Sequence, residues 1–356
     1  MSLDTQRNDC YSNLHDIFKG NDKITSKDLA VGIIFSSQTI IGVTANFFLL
    51  CHYFFNFQHG RRLRSTDVIL KHLCLANSLV LLSGGVPQIM AAFGLKHIFS
   101  DIVCKCLLYI ERVGRGVSIG TICLLSVFQN IIISPMNSCW KDIKRKTQEY
   151  IGFSIHLCWI LNVLVSLIIP MYAWYSSVKG YDRIIKKKVN IGYCCLVDYG
   201  VVIGSVYIAL VVVPEVCFSL LIVWASGSMI SILYRHKQRV QHIHITNVSL
   251  RSPESRATQS ILFLVSTFIS FYTLSTIIRI SIALSYNPSS GLVSASDLIS
   301  LCFPTISPFL SISQCSSMFR HCFACTKNTK PLQLFQKCTT CILWQYFLLF
   351  TLHFFL

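Results

Sequence analysis

Residues 29–55 read LAVGIIFSSQTIIGVTANFFLLCHYFF, a run without a single Asp, Glu, Lys or Arg. About 20 apolar residues in a helix cross the roughly 30 Å of hydrocarbon in a bilayer. This run is therefore long enough to span, and the same reading applies to 68–93, 102–134, 150–175, 199–234, 258–284 and 292–313. The expectation is an all-α membrane protein: a seven-transmembrane helix bundle over residues 29–313, after a polar N-terminus 1–28 and before a Cys-containing tail 314–356 with an apolar end. Residues 343–356 are too short to span and can lie along the interface.

Composition supports the membrane as solvent. Of 356 residues, 53% are hydrophobic and 13% charged, with a mean hydropathy of +0.57, whereas a soluble domain carries roughly 25% charged residues. A net charge of +16 would suit nucleic acid, but the basic residues sit in short segments between apolar runs and no nucleic-acid-binding motif accompanies them. Nucleic acid is excluded as a partner; the lipid bilayer is the expected one.

Seven spans place the termini on opposite sides. Sixteen basic residues fall on one side: Arg61, Arg62 and Arg64, then Lys141, Lys144, Arg145 and Lys146, then Arg235, Lys237, Arg239, Arg251 and Arg256, then Arg320, Lys327, Lys330 and Lys337. The other side has ten, five of them in the loop 176–198. The positive-inside bias puts the N-terminus outside a multi-pass protein of the plasma membrane. Residues 1–28 lack the basic start and apolar centre of a cleavable signal, so the first span is expected to direct insertion.

Ionisable groups inside a span are costly and mark functional candidates. Glu111, Arg112 and Arg115 stand in the third span, and Glu111 and Arg115, four apart, can pair along one helix face. Either they neutralise each other or this face lines a wet outer cavity where Glu111 or Arg115 meets a small ligand. Arg279 in the sixth span either faces that cavity or snorkels to the surface. Tyr272 is first a packing residue and second a ligand contact, and Glu215 follows a helix-bending Pro214 in the fifth span. Pro304 and Pro308 interrupt the seventh, with Ser307 and Ser311 available to the freed backbone groups.

Seventeen cysteines are scattered rather than evenly spaced, so most read as small apolar fillers. Cys104 opens the third span on the outer side, and an oxidising exterior would let it pair with Cys194 or Cys195. Cys322, Cys325, Cys338 and Cys341 have a zinc-like spacing, yet beside a membrane span free or palmitoylated thiols fit better, and no metal or cofactor is expected. Phosphate-loop and metalloprotease motifs are missing from the sequence, which argues against an enzyme.

The fifth and sixth spans carry WASGSM (224–229), LYRHKQRVQHIH (233–244), SPESRAT (252–258) and LVSTFISFY (264–272). With Arg115-Gly116, LSVFQ (125–129), ISP (133–135) and SPF (307–309), they resemble the vomeronasal type-1 (pheromone) receptor family from about Leu29 to Phe319. Main-branch rhodopsin-like receptors differ: their D-R-Y is replaced by Phe128-Gln129-Asn130, and N-P-x-x-Y is lacking. Glu111 stands where the resembled family commonly has His.

The resemblance implies a G-protein-coupled receptor for small, often volatile chemosignals, signalling to an inhibitory-type heterotrimeric G protein in sensory neurons. Gln129, Arg235, His236, Lys237 and Arg256 would face that G protein, although topology-setting charge explains the basic ones equally well. A non-signalling relic receptor, or another membrane protein without ligand-driven signalling, is the alternative.

Overall fold

The computed structural model describes residues 26–59, 64–94, 101–134, 138–167, 188–191, 194–197, 213–243, 253–284 and 290–312. Seven helical spans run through them: Ser26–Gln58, then Ser65–Ala92, Asp101–Ile133, Ser138–Ser166, Val213–Ile243, Pro253–Leu284 and Ser290–Ile312. All seven are long and apolar enough to cross a membrane. The chain is a seven-helix membrane bundle, as the apolar runs predict.

Burial follows the logic of a lipid solvent. Leu49, Ile69, Ile122, Ile155, Ile222, Leu264 and Ile306, one from each helix, join a single buried cluster. Large apolar side chains also cover the outside: Phe47, Phe153 and Leu220 are each at least 65% exposed. In water such a surface would aggregate, whereas in hydrocarbon it costs nothing and the core is held by close packing. Cys74, Cys123 and Cys302 are buried free thiols, in keeping with their reading as fillers.

Helix and apolar run do not end together. The fourth helix starts at Ser138, well before the expected 150, the fifth runs on to Ile243, and the sixth begins at Pro253. Hydropathy marks only what lies in hydrocarbon, while Lys, Arg, Gln and Glu are good helix formers and carry the helix onward. Lys144 on the early fourth helix donates to the Ser134 carbonyl at 2.9 Å, just beyond the third helix. Residues 168–175 and 199–212, expected at span ends, lie outside the described residues, as do the tail cysteines and the apolar end.

Between the fourth and fifth spans the backbone forms an antiparallel hairpin, β1 (Lys188–Ile191) and β2 (Cys194–Val197), with Asn190 opposite Cys195 and Ile191 opposite Cys194. An all-helix reading missed it, since four-residue strands leave little periodicity.

Two helices are irregular for identifiable reasons. In the second span, Leu81–Gly85 form a π turn directly before Pro87, whose ring lacks the N–H an α-helix would use. There the first helix approaches so closely that a Cβ on Gly85 would collide with Thr39 Oγ1. In the seventh, Pro308 cannot donate to the carbonyl of Pro304. Asn46 of the first helix does so instead, its Nδ2 donating to Pro304 O at 2.9 Å and to Gly42 O at 2.8 Å.

The serines expected to serve these prolines do other work: Ser307 Oγ accepts from Asn77, and Ser311 Oγ donates to Ser307 O. Asn46→Leu is expected to lower the unfolding temperature of purified protein, with a loss of about 1–3 kcal/mol for one orphaned buried carbonyl. An unchanged melting curve would show that Pro304 O needs no partner.

Candidate functional site

The end of the bundle where the first helix begins is termed the upper end. About a third of the way down, the third helix presents Glu111, Arg112 and Arg115. Residues 111 and 115 share a face while 112 points about 100° away, so the two arginines reach different partners. Arg115 Nη2 donates to Glu111 Oε1 in an i,i+4 ion pair, the neutralisation their spacing predicts. Arg112 Nη2 turns to the fifth helix and donates to Glu215 Oε1 at 2.6 Å.

Glu215 is used twice. Its second oxygen accepts from the Tyr272 hydroxyl at 2.5 Å, so one carboxylate joins the third, fifth and sixth helices. Tyr272 stacks on Phe268 with ring centres 5.4 Å apart, and Phe268 meets Phe303 of the seventh helix edge-on at 4.8 Å. The structure thus gives Tyr272 both a packing role and a polar partner. Pro214 is the second residue of the described part of the fifth helix, Val213–Ile243, and the residues before Val213 lie outside the described residues.

Sequence reasoning overlooked Asp297 in the seventh span. Gln88 Nε2 donates to its Oδ2 at 2.5 Å, and Arg279, Glu111 and Arg115 are close enough to act on it electrostatically. Asp297 lies within the run 292–313, so the rule that flagged Glu111 would have flagged it too. Arg279 is exposed and acts electrostatically on Asp297. Three acids (Glu111, Glu215, Asp297) and three arginines (Arg112, Arg115, Arg279) cancel formally, the condition under which charge survives in a span. Gly84, in the π turn, lies beside the Glu111 carboxyl, where a Cβ would make ordinary contact at 3.5 Å from Glu111 Cδ.

Below this cluster lies a cavity of about 40 Å³ lined by Arg115, Ser118, Phe268, Phe271, Tyr272, Ser275 and Phe303, among others. Ser118 links it downward, donating to Asn77 Oδ1 at 3.0 Å, while Asn77 Nδ2 donates to Ser307 Oγ at 2.6 Å. All three are buried. A chain of side-chain hydrogen bonds therefore runs from Ser118 on the cavity wall through Asn77 to Ser307, joining the third, second and seventh helices.

Against this bundle, a family model described as that of the vomeronasal organ pheromone receptor family matches residues 29–324. The chain belongs to the vomeronasal type-1 receptor family. Human vomeronasal type-1 receptor 4 is 49% identical over 302 residues, covering 85% of this chain and 99% of that protein. Human vomeronasal type-1 receptor 2 is 47% identical over 294 residues, 82% of this chain and 74% of that protein. The rat (Rattus norvegicus) vomeronasal type-1 receptor 90 is 31% identical over 283 residues, 78% of this chain and 89% of that one. The family is one of receptors, not of enzymes.

The remaining expected site residues of this vomeronasal-family chain are placed unevenly. Gln129 is buried at the lower end of the third helix, and Arg235 is exposed on the fifth. His236 and Lys237 lie on the fifth helix and Arg256 on the sixth, with side chains outside the described residues. Cys104 is buried and disulfide-bonded; the backbone of β2 carries both Cys194 and Cys195, but their side chains, and with them the expected pairing, lie outside the described residues. Among the described residues, no group of three or more His, Cys, Asp or Glu could hold a metal.

Proposed function

We propose that this chain is a plasma-membrane receptor with its N-terminus outside, binding a small chemosignal in the upper half of the bundle and signalling to an inhibitory-type heterotrimeric G protein. Family membership together with the polar cluster above a cavity between the third, sixth and seventh helices carries the reading. Glu111, Arg112, Arg115, Glu215, Tyr272 and Arg279 form or border the binding region, mostly by holding it in shape. Gln129, Arg235, His236, Lys237 and Arg256 form the docking zone at the opposite end. Ligand acts by binding one arrangement of the helices more tightly than another, since only that difference shifts the population.

Surface staining of an N-terminal epitope on intact cells, paired with a G-protein activation assay, tests both halves of the proposal. Staining with ligand-dependent activation is expected. Staining only after permeabilisation would contradict the outside N-terminus or the surface location, and staining with no activation by any ligand would favour a silent relic. Cys104→Ser is expected to reduce surface staining several-fold, because its disulfide ties the hairpin loop to the third helix. Unchanged staining would separate that bond from delivery.

A further inference from the structure

A charged side chain on a spanning helix is costly unless it is paired or reaches the interface. The second span has 28 residues and is about 42 Å long, some 12 Å more than the hydrocarbon it crosses. Lys71, about 9 Å above the lower start of that helix at Ser65, therefore stands just inside the hydrocarbon edge. Among the described residues it has no hydrogen-bond or ion-pair partner. Asp67, one turn below, accepts instead from the Arg64 backbone N–H at 3.1 Å and faces Arg64 and His52. A helical side chain leans towards the helix N-terminus, here the lower end, so a lysine at this level reaches the depth of the lipid phosphates.

The surface beside Lys71 is a groove between the second and fourth helices, both of which begin at the lower end. His72 meets His156 and Trp159 edge-on, with ring centres 6.0 and 6.4 Å apart. Lys71 and His156 are both close enough to His72 to act on it electrostatically. His156 is exposed, with its Nδ1 2.7 Å from the Gly152 carbonyl oxygen. At Gly152 the groove is open, since a Cβ there would have nothing within 4 Å. Glu149, the nearest acid along the fourth helix, starts about 10 Å below His156. Higher up, Leu75 and Ile160 are 42% and 54% exposed and give the groove apolar walls.

We infer that this groove holds one anionic phospholipid of the lower leaflet, its phosphate against the Lys71 ammonium and an acyl chain between Leu75 and Ile160. Charge complementarity carries the choice, since one lysine and two histidines meet at the mouth of the groove and no acid pairs with the lysine. A zwitterionic headgroup brings its own cation and gains less from Lys71. The site is independent of the ligand and G-protein readings and needs only a bilayer around the bundle.

The test uses the purified full chain in detergent, its unfolding temperature, and two probes with identical acyl chains, phosphatidylglycerol and phosphatidylcholine. Phosphatidylglycerol is expected to stabilise the wild type more than phosphatidylcholine at equal mole fraction. Without lipid, Lys71→Gln should unfold at the wild-type temperature, because no ion pair is lost. It should nevertheless require about fivefold more phosphatidylglycerol for the same shift, the worth of one basic residue at a lipid surface. Lys71→Arg should keep the preference. Gly152→Leu, which fills the groove without changing a charge, should lose it, whereas Lys146→Gln, at an exposed position farther down the fourth helix, should retain it.

Equal stabilisation of the wild type by the two lipids would overturn the inference. So would an undiminished phosphatidylglycerol response in Lys71→Gln or in Gly152→Leu, either of which would put the lipid elsewhere. An equal loss in Lys146→Gln would also overturn it, by assigning the preference to the basic surface as a whole. Lipid-free destabilisation of Lys71→Gln would do the same, by giving the lysine a partner within the protein.

Discussion

Glu215→Ala is expected to destabilise the bundle by roughly 3–5 kcal/mol, the usual cost of breaking a buried ion pair by removing one partner. The change takes the Glu215 carboxylate from Arg112, whose side chain is 16% exposed, and removes the acceptor of Tyr272. Three helices lose their common tie at once. The readout is the unfolding temperature of the purified chain, with surface display as its cellular counterpart. Removing both charges in Arg112→Gln/Glu215→Gln should recover much of the loss, since a neutral pair can still bond and no charge is stranded. If the double variant is as unstable as Glu215→Ala, the loss does not come from unpaired charge.

The second large effect lies at the contact of the third and fourth helices. A Cβ on Gly116 would collide with Asn162 Oδ1, and one on Gly120 with Cys158 Sγ. Such a seam of small residues lets two backbones approach, which is how helices in lipid gain attraction. Gly116→Leu is expected to cost at least about 3 kcal/mol, the upper end for overpacking, and to leave little folded protein in a size-exclusion profile. Asn162 turns its amide to Cys158 O at 2.8 Å, so Gly116→Ala should be better tolerated when Asn162 is also Ala. Equal yields of Gly116→Ala in both backgrounds would place the strain on the backbone instead.

Much of this architecture can be read along the chain because lipid imposes a simple rule. Seven uncharged or nearly uncharged runs give seven helices, and the pairing of Glu111 with Arg115 follows from a separation of four. The family resemblance rests on local strings in the fifth and sixth spans. What could not be read is what depends on distant neighbours. Arg112 and Glu215 were each visible as intramembrane charges, but 103 residues separate them, and no local pattern says that they meet.

The same holds for Asn46, whose place in a run of apolar residues gives no sign that it serves a proline on the seventh helix. Asp297 differs, since the cost argument reaches it directly. The helical extensions at 138–149 and 235–243 escape hydropathy because they need no hydrocarbon at all.

The amide of Asn46 has one further consequence. A backbone-to-backbone bond inside a helix breaks only when that helix unwinds, but this bond breaks whenever a side chain rotates. With a net worth of about 1 kcal/mol, it is undone on the order of one-tenth to one-fifth of the time at room temperature. In those intervals the seventh helix can flex about Pro308 without disturbing any other turn. The first helix thereby holds the seventh at its proline through one side chain that has no place on the cavity wall.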